Sequence, residues 1–447
     1  MDYKMTLTDE QKAILDGAKG ETMAKVMKTL VMYGDAFGAE KMVPVTSTKG
    51  HLVTSFGLKV MAPVYDLMDQ LIEGGAVSGQ KFSVDPKPLD PNVPAGFLEN
   101  FVFNKFMYSM QNSYDAQLSK LGLADTDAYT CTCYMDEVGN KPKKGDILSW
   151  AESSAVVYAN SVLGAKCNRN SGIIELFGSI VGYVPYFGLL TDEGRKATWI
   201  IEVKTESKPE AQILGSAIGM KVMEDVPYIK GLDKWLGTEL TDDVCSYLKD
   251  FGAATASNGA VGLYHIENLT PEAVEQGENL VAPGAKVYVI DDAELKRVKD
   301  SYPVMWKDKN GAPALCFVGC PHLSLAQLNE WTENVAELEG KSAGFRNTNT
   351  LIIYDNLNAM IMALKAGQID RFATGLYSAR YIAARDKDFE LIDNKHNAIM
   401  GYAVALREED KPKLLGINLA IQKVSDPTPC YVVRASKGGG LQDLRFQ

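Results

Sequence analysis

From Leu176 onward the chain alternates short apolar runs with stretches of helical periodicity, and nothing else in its 447 residues constrains the fold as much. Residues 197–203 and 286–290 read as strands rich in β-branched side chains, and 260–266 as a third. Between them, 213–222 reads as a helix with Gly215 and Gly219 four apart for close packing, and 242–251 as another. Thr270-Pro271 has the cap and first-turn proline of a helix start, and Asp291 with Glu294 has the capping-box spacing. Strands separated by helices require crossover connections, so the expected class is α/β, with mostly parallel sheets covered by helices. A further strand at 314–318 leads into Gly319-Cys320-Pro321-His322-Leu323-Ser324 and then a helix boxed by Ser324 and Gln327. Cys320 and His322 are thereby expected at the carboxyl edge of a sheet, where ligands gather in such folds. Cys316, inside the strand, reads as core.

A second informative stretch runs from Tyr129 to Gly172. It holds Cys131 and Cys133, then a helix whose start is read from Ser149 and Glu152 at capping-box spacing, then Gly164 as a left-handed stop. Ala151, Ala155, Val156, Ala159 and Val162 give that helix a small apolar face. A helix of about 15 residues spans roughly 22 Å, so the cysteine pair and the polar loop Lys166-Cys167-Asn168-Arg169 are expected near its opposite ends.

The net charge of −11 argues against nucleic acid, because phosphate contact needs clustered Lys and Arg. Lys141, Lys143 and Lys144 form a short solvated run. No apolar stretch approaches the roughly 18 residues that span a bilayer, and the N-terminus lacks the layout of a signal peptide. The expectation is a cytoplasmic protein with no membrane and no nucleic-acid partner. The seven cysteines, odd in number and widely spaced, fit reduced thiols better than a disulfide framework. Cys245 falls on a helical pattern and reads as packing. Without a second tight pair, the thiols do not spell a structural zinc site. Distant thiolates can assemble an iron–sulfur cluster, and a cluster with three protein ligands keeps a place open to polarise a departing hydroxyl.

Elsewhere the signals are local. Thr8 and Gln11 form a capping box ahead of a short helix; a longer helix covers 21–33 and stops at Gly34. Residues 41–45 read as a strand, followed by a polar loop to His51, a modest site candidate. Pro86, Pro88, Pro91 and Pro94 make 74–94 loop-rich, and helical periodicity returns over 98–121. After 341 the pattern gives a strand at 350–354, helices at 356–366 and 379–385, and strands near 389–392 and 401–406. Cys430 lies between a proline turn and a short strand, and the tail at 437–440 is glycine-rich and flexible.

Taken together, Thr130-Cys131-Thr132, the run from Trp150 to Ala165 followed by Asn168-Arg169, and Gly319-Cys320-Pro321-His322-Leu323-Ser324 resemble the aconitase X family of dehydratases. Pro185-Tyr186-Phe187-Gly188, the N-terminal residues 7–11 and the segment 46–51 are similar to it as well, so the resemblance covers about residues 5–340. It implies an aconitase-like fold of stacked α/β domains over 1–340, a hydro-lyase acting on a small anionic hydroxy acid such as a hydroxyproline or a mevalonate phosphate, and an iron–sulfur cluster (2Fe-2S or 4Fe-4S). By the same resemblance Cys131, Cys320 and Cys430 are the expected metal ligands, and His51 and His322 the expected catalytic residues. Lys166, Asn168, Arg169 and Ser153 are the expected substrate-binding residues, Arg169 as a fork for carboxylate or phosphate. A small swivel-domain subunit, source of the serine base in this family, is the expected partner.

Three departures qualify the pattern. Cys131-Thr132-Cys133-Tyr134 stands where many members read Cys-Thr-Pro-Tyr, so either thiol can take the ligand role. Cys167 replaces a threonine of the substrate loop and is expected as a bystander. The segment 341–425 resembles one lobe of a solute-binding protein, giving a smaller C-terminal α/β unit before the tail at 426–447. The alternative reading is therefore a cluster-free relative that binds or senses a small molecule.

Overall fold

The computed structural model of the chain describes residues 3–88, 100–136, 138–303 and 320–341, and beyond these the strands at 373–375, 389–392, 402–407 and 431–435. Two units are present. The first comprises Met1–Lys87, Met107–Met305 and Gly319–Ala326, and the second Pro88–Phe106, Trp306–Val318 and Gln327–Gln447.

The first unit begins with α1 (Asp9–Leu15), whose start carries the expected box: the Thr8 hydroxyl accepts from the Gln11 N–H and the Gln11 side chain from the Thr8 N–H. Helix α2 (Glu21–Ala36) runs past the expected stop at Gly34. That glycine is a packing site instead, since a Cβ there would lie 2.5 Å from Met5 Cε and 2.7 Å from Pro185 Cβ. Strand β1 (Met42–Pro44) pairs antiparallel with β4 (Tyr183–Pro185), while β2 (Lys49–Leu52) pairs parallel with β3 (Lys81–Val84). Helices α3 (Ala62–Glu73), α4 (Gln111–Leu121) and, further on, α6 (Gly172–Val181) supply apolar faces that close one core with α2.

The helix expected from 149 is shorter and starts later. Helix α5 spans Ser153–Ser161, and its N-cap is Glu152, whose carboxylate accepts from the Ser154 and Ala155 N–H groups. Residues 147–151 are extended: Trp150 bridges to His51 and Ile147 to Lys166, and this pairing keeps the chain out of helical geometry. Ser149 is fully buried with its hydroxyl 2.7 Å from Glu175 Oε2, so it cannot serve as the cap.

The alternation read from the sequence becomes one four-stranded sheet in the order β7–β6–β5–β8, all neighbours parallel. Its strands are β5 (Ala197–Val203), β6 (Pro227–Lys230), β7 (His265–Ile266) and β8 (Val281–Ile290). Helix α7 (Ala211–Val222) packs on α9 (Asp242–Asn258), with a short α8 (Asp233–Leu236) between them. Gly215 and Gly219 make that approach possible: added Cβ atoms would lie 2.5 Å from the Phe251 carbonyl and 2.7 Å from that of Thr255. Helices α10 (Pro271–Gln276) and α11 (Asp292–Ser301) start where expected.

The strand expected over 260–266 shrinks to two residues. Upstream of it the backbone is pinned by α5 side chains: Asn160 Nδ2 donates to the Gly262 carbonyl, and Ser161 Oγ accepts from the Tyr264 N–H. The last described helix is α12 (Leu325–Lys341).

In the second unit, β9 (Ala373–Gly375), β10 (Phe389–Ile392), β11 (Tyr402–Arg407) and β12 (Tyr431–Ala435) form a mixed sheet in the order β10–β12–β11–β9, with β11 and β12 parallel. The strands expected at 314–318 and 350–354, the helices at 356–366 and 379–385, the tail glycines, Cys316 and Cys430 lie outside the described residues. No helix among the described residues is long and apolar enough to cross a membrane.

Candidate active site

The site grows from the parallel pair β2–β3, whose register sets His51 opposite Ser83. His51 is completely buried. Its Nδ1 lies 2.9 Å from Ser83 Oγ and its Nε2 3.4 Å from Asp85 Oδ1. Asn140 Nδ2 fixes Ser83 by donating both to Ser83 Oγ and to the Gly50 carbonyl. The Trp150 ring meets the imidazole edge to face at 5.8 Å between centroids.

Burial alone pushes the His51 pKa down, but the facing Cys133 sulfur and the Asp85 carboxylate outweigh it and raise it to about 10. Burial in turn pushes the Asp85 carboxyl up, with Glu152 adding to the rise and His51 opposing it. One proton is therefore held between two buried groups.

Glu152 completes a trio with this pair: one ligand atom from each of His51, Asp85 and Glu152 falls within 4.8 Å of the others. Its carboxylate is fixed by the N-terminus of α5, 2.9 Å from Ser154 N, 2.5 Å from Ala155 N and 2.7 Å from Ser154 Oγ. A carboxylate so capped is stabilised by orphan N–H groups and the helix dipole.

The two cysteines of the pair have different surroundings. Cys133 is fully buried and turned to His51. Cys131 is part-exposed, and its Sγ accepts the His322 backbone N–H at 3.3 Å. Burial, with Glu152, Asp85 and Cys320 as negative neighbours, raises the Cys131 thiol to about 11. Cys320 is exposed and belongs to the same electrostatic neighbourhood. His322 Nδ1 lies 3.3 Å from Thr130 Oγ1, and Ser324 Oγ 2.6 Å from Ser246 Oγ on α9. The Cys-Pro-His loop is thus fastened beside Cys131 although 189 residues separate the two thiols in sequence.

The other side of Glu152 faces a cleft of 780 Å³. Ser153, Asn168, Arg169, Asn170 and the glycine backbone at 188 and 262 line it. Arg169 makes no hydrogen bond or ion pair among the described residues, and Glu152 is the carboxylate in its electrostatic reach. Its aliphatic stem lies over Gly262, where a Cβ would come 2.8 Å from Arg169 Cδ.

Asn168 lines the cleft but spends its side chain on the next loop, accepting from Leu189 N at 2.8 Å and donating to the Phe187 carbonyl at 3.0 Å. Lys166 pairs with Asp192 at 3.0 Å and is not among the lining side chains. Cys167 is fully buried against the Trp150 carbonyl. Of the residues singled out from sequence, His51, Cys131, Cys320 and His322 therefore gather on one side of Glu152, and Ser153, Asn168 and Arg169 on the other. Asp85 escaped notice because its partner lies across a parallel strand pair, and Glu152 because it was read as partner to Ser149.

A buried acid–base pair, two neighbouring thiols and a cleft lined by Arg169 meet at one capped carboxylate, an arrangement that suits a hydro-lyase. The family models agree: that described as aconitase X first domain matches residues 4–193, and that of the aconitase X second domain residues 197–300. The chain belongs to the aconitase X family, and it is an enzyme of the dehydratase class. It is similar to the phosphomevalonate dehydratase large subunit of Thermococcus kodakarensis, with 34% identity over 75% of this chain and 78% of that protein. The corresponding large subunit of Methanocaldococcus jannaschii is 32% identical over 74% of this chain and 78% of its own. Cis-3-hydroxy-L-proline dehydratase of Hypocrea jecorina is 27% identical and is covered over 52% of its length. The crystal structure of Thermococcus kodakaraensis aconitase X in its holo-form has a TM-score of 0.60 and 31% identity, covering 81% of this chain and 84% of that one.

Proposed function

We propose that the chain is the large subunit of a dehydratase for a small phosphorylated hydroxy acid of the phosphomevalonate kind, completed by a small subunit. The observation that carries this reading is Glu152, shared between the His51–Asp85 pair with its neighbouring thiols and the cleft that holds the unpaired Arg169. A guanidinium without a partner among the described residues, lining a cleft, suits phosphate or carboxylate. The names of the relatives, both phosphomevalonate dehydratase large subunits, support the same substrate class and the missing partner.

The thiols suit an iron–sulfur cluster. Cys131 and Cys320 are free, reachable and neighbours, and soft sulfur ligands are what such a cluster takes. Cys430, outside the described residues, is the third candidate ligand. When bound, the cluster supplies Lewis acidity at the departing hydroxyl.

The chain's own residues do the rest. Arg169 binds the anionic end of the substrate. Dehydration breaks a C–O bond and the adjacent C–H bond as the C=C bond forms; Asp85, recharged by His51 behind it, gives a proton to the hydroxide so that water leaves. His322, held by Thr130 beside the thiols, orients the substrate there. The carbon-bound proton goes to a base on the small subunit. Free thiols at every described cysteine support a reducing, cytoplasmic setting. We take the segment 341–425, with its own strands, as an accessory α/β unit.

Anaerobic purification with measurement of iron and sulfide tests the reading. The wild type and Cys133→Ser should hold a cluster, whereas Cys131→Ser and Cys320→Ser should lose most of the iron. A chain that stays colourless after anaerobic reconstitution, or loses iron only on replacement of Cys133, overturns it.

A further inference from the structure

Glu175 is a buried acid that the dehydration does not use. It sits in the first turn of α6, 1% exposed, and no cation among the described residues lies against it. The groups facing it are Ser149, Asn170, the Tyr33 phenol and the Cys167 thiol, with Arg195 beyond Cys167.

The hydrogen-bond count around Ser149 bears on the state of this acid. Its Oγ lies 2.7 Å from the Glu175 carbonyl and also 2.7 Å from Glu175 Oε2. A serine hydroxyl has one proton to give. The carbonyl can only accept, so both contacts are full hydrogen bonds only if Ser149 donates to the carbonyl while Glu175 Oε2 carries a proton and donates back to Ser149. The other oxygen, Oε1, accepts from Asn170 Nδ2 at 2.7 Å, and Asn170 Oδ1 accepts from the Tyr33 hydroxyl at 2.8 Å. Every polar atom in the chain Tyr33–Asn170–Glu175–Ser149 then has a partner with nothing doubled. Gly178, where a Cβ would fall 2.4 Å from Ser149 Oγ, leaves the space the arrangement needs.

We infer that Glu175 is a neutral carboxylic acid in the folded protein and a positioning residue that holds the Arg169 loop open to an anion. Arg169 lies between two anchored asparagines: Asn168 tied to the 187–189 backbone and Asn170 tied to Glu175. A neutral anchor at this place adds no further negative charge beside a cleft whose charged lining is Arg169 with Glu152 and Glu224. Burial, acting against the Ser149 and Asn170 hydrogen bonds, raises the Glu175 pKa to about 8, in agreement with the bond count.

The sign of the pH effect follows. The folded chain keeps a proton that an unfolded one releases near 4.5, so stability is fully present below that value. It is lost as pH rises toward about 8, the unfolding constant growing by up to about tenfold per unit.

Glutamine reproduces the neutral acid, one atom accepting and one donating. Thermal melts of full-length wild type and Glu175→Gln from pH 5 to 9, with infrared spectra of wild type and Ser149→Ala, test the inference. The expected results are a wild-type melting temperature that falls with pH more steeply than that of E175Q, and a protonated-carboxyl band that shifts in S149A. Parallel pH profiles, a band indifferent to Ser149, or an E175Q chain that fails to fold each overturn it. The effect on Arg169 rests on the dehydratase reading and is read separately. KM for the phosphorylated acid should rise several-fold above about pH 8 in wild type and stay level in E175Q, with kcat little changed; equal KM profiles refute the positioning role, while the melts and spectra stand apart from any assumption about activity.

Discussion

Replacing Glu272 by glutamine should cost this protein a large share of its stability, because the residue neutralises a buried and fully bonded cation of the first unit. Arg195 is 1% exposed and Glu272 12%. The pair is bidentate, Nε to Oε1 at 2.7 Å and Nη2 to Oε2 at 2.9 Å. Three guanidinium protons remain for four acceptors: Nη1 donates to Asn160 Oδ1 and the Leu189 carbonyl, and the carbonyls of Asn160 and Ala165 share the second Nη2 proton, all at 2.9–3.2 Å. These are the end of α5, the turn before the Lys166–Arg169 loop, and the turn on which Asn168 rests.

Removing one member of a buried, fully bonded pair costs about 3–5 kcal/mol, since the other charge is left uncompensated. Glu272→Gln keeps the shape and turns an N–H toward the guanidinium, so roughly 3 kcal/mol is the expected minimum. Urea titration followed by tryptophan fluorescence measures the loss. Arg195→Met combined with Glu272→Leu should recover most of it, because paired charges can often be exchanged for apolar groups without loss. A cost for Glu272→Gln below about 1 kcal/mol, the range of exposed pairs, would refute the reasoning.

Gly262→Ala sets a Cβ 2.8 Å from both Arg169 Cδ and Leu189 Cδ1. Leu189 Cδ1 is a chain end and Arg169 Cδ part of a flexible stem, so the fold should hold with little change in melting temperature, while KM for the anionic substrate rises several-fold; an unchanged KM would show that Arg169 does not bind it. Gly172→Ala drives a Cβ to within 1.4 Å of the Val53 carbonyl oxygen. Two backbones must separate there, and the variant should lose more than about 2 kcal/mol in the same urea titration, with wild-type stability as the disproving result.

Several local signals with both partners inside one turn were legible. Thr8 with Gln11 and the Gly215–Gly219 spacing did in the structure what the spacing implied, because three- and four-residue offsets share a helix face, while Asp291 caps its helix and Glu294 turns its carboxylate to Tyr288 and Arg297 instead of closing the box. The parallel sheet was legible for a related reason: crossover helices impose a rhythm that survives without tertiary information. What the sequence could not display is pairing between distant strands. His51 meets Ser83 and Asp85 across two parallel strands, and Cys131 meets the His322 backbone across most of the unit. The thiols could be grouped only by likeness to a family, and Asp85, hidden at the edge of a proline-rich stretch, not at all.

The misread capping box carries the more general lesson, and it ties the two carboxylates of the site together. Ser149 and Glu152 have the right spacing for a cap, but spacing does not say which backbone is free. Residues 147–151 are held extended by bridges to His51 and Lys166, so the first free N–H groups belong to Ser154 and Ala155, and Glu152 caps them alone. Ser149, released from that duty and buried beside α6, takes Glu175 instead. The two acids thereby receive opposite fates from one short stretch. Glu152 meets helix N–H groups and can carry its charge into the cleft, next to the thiols and Arg169. Glu175 meets a hydroxyl that has no proton to spare and must keep its own. The displacement of the helix start from residue 149 to residue 153 is what gives the two acids these different partners.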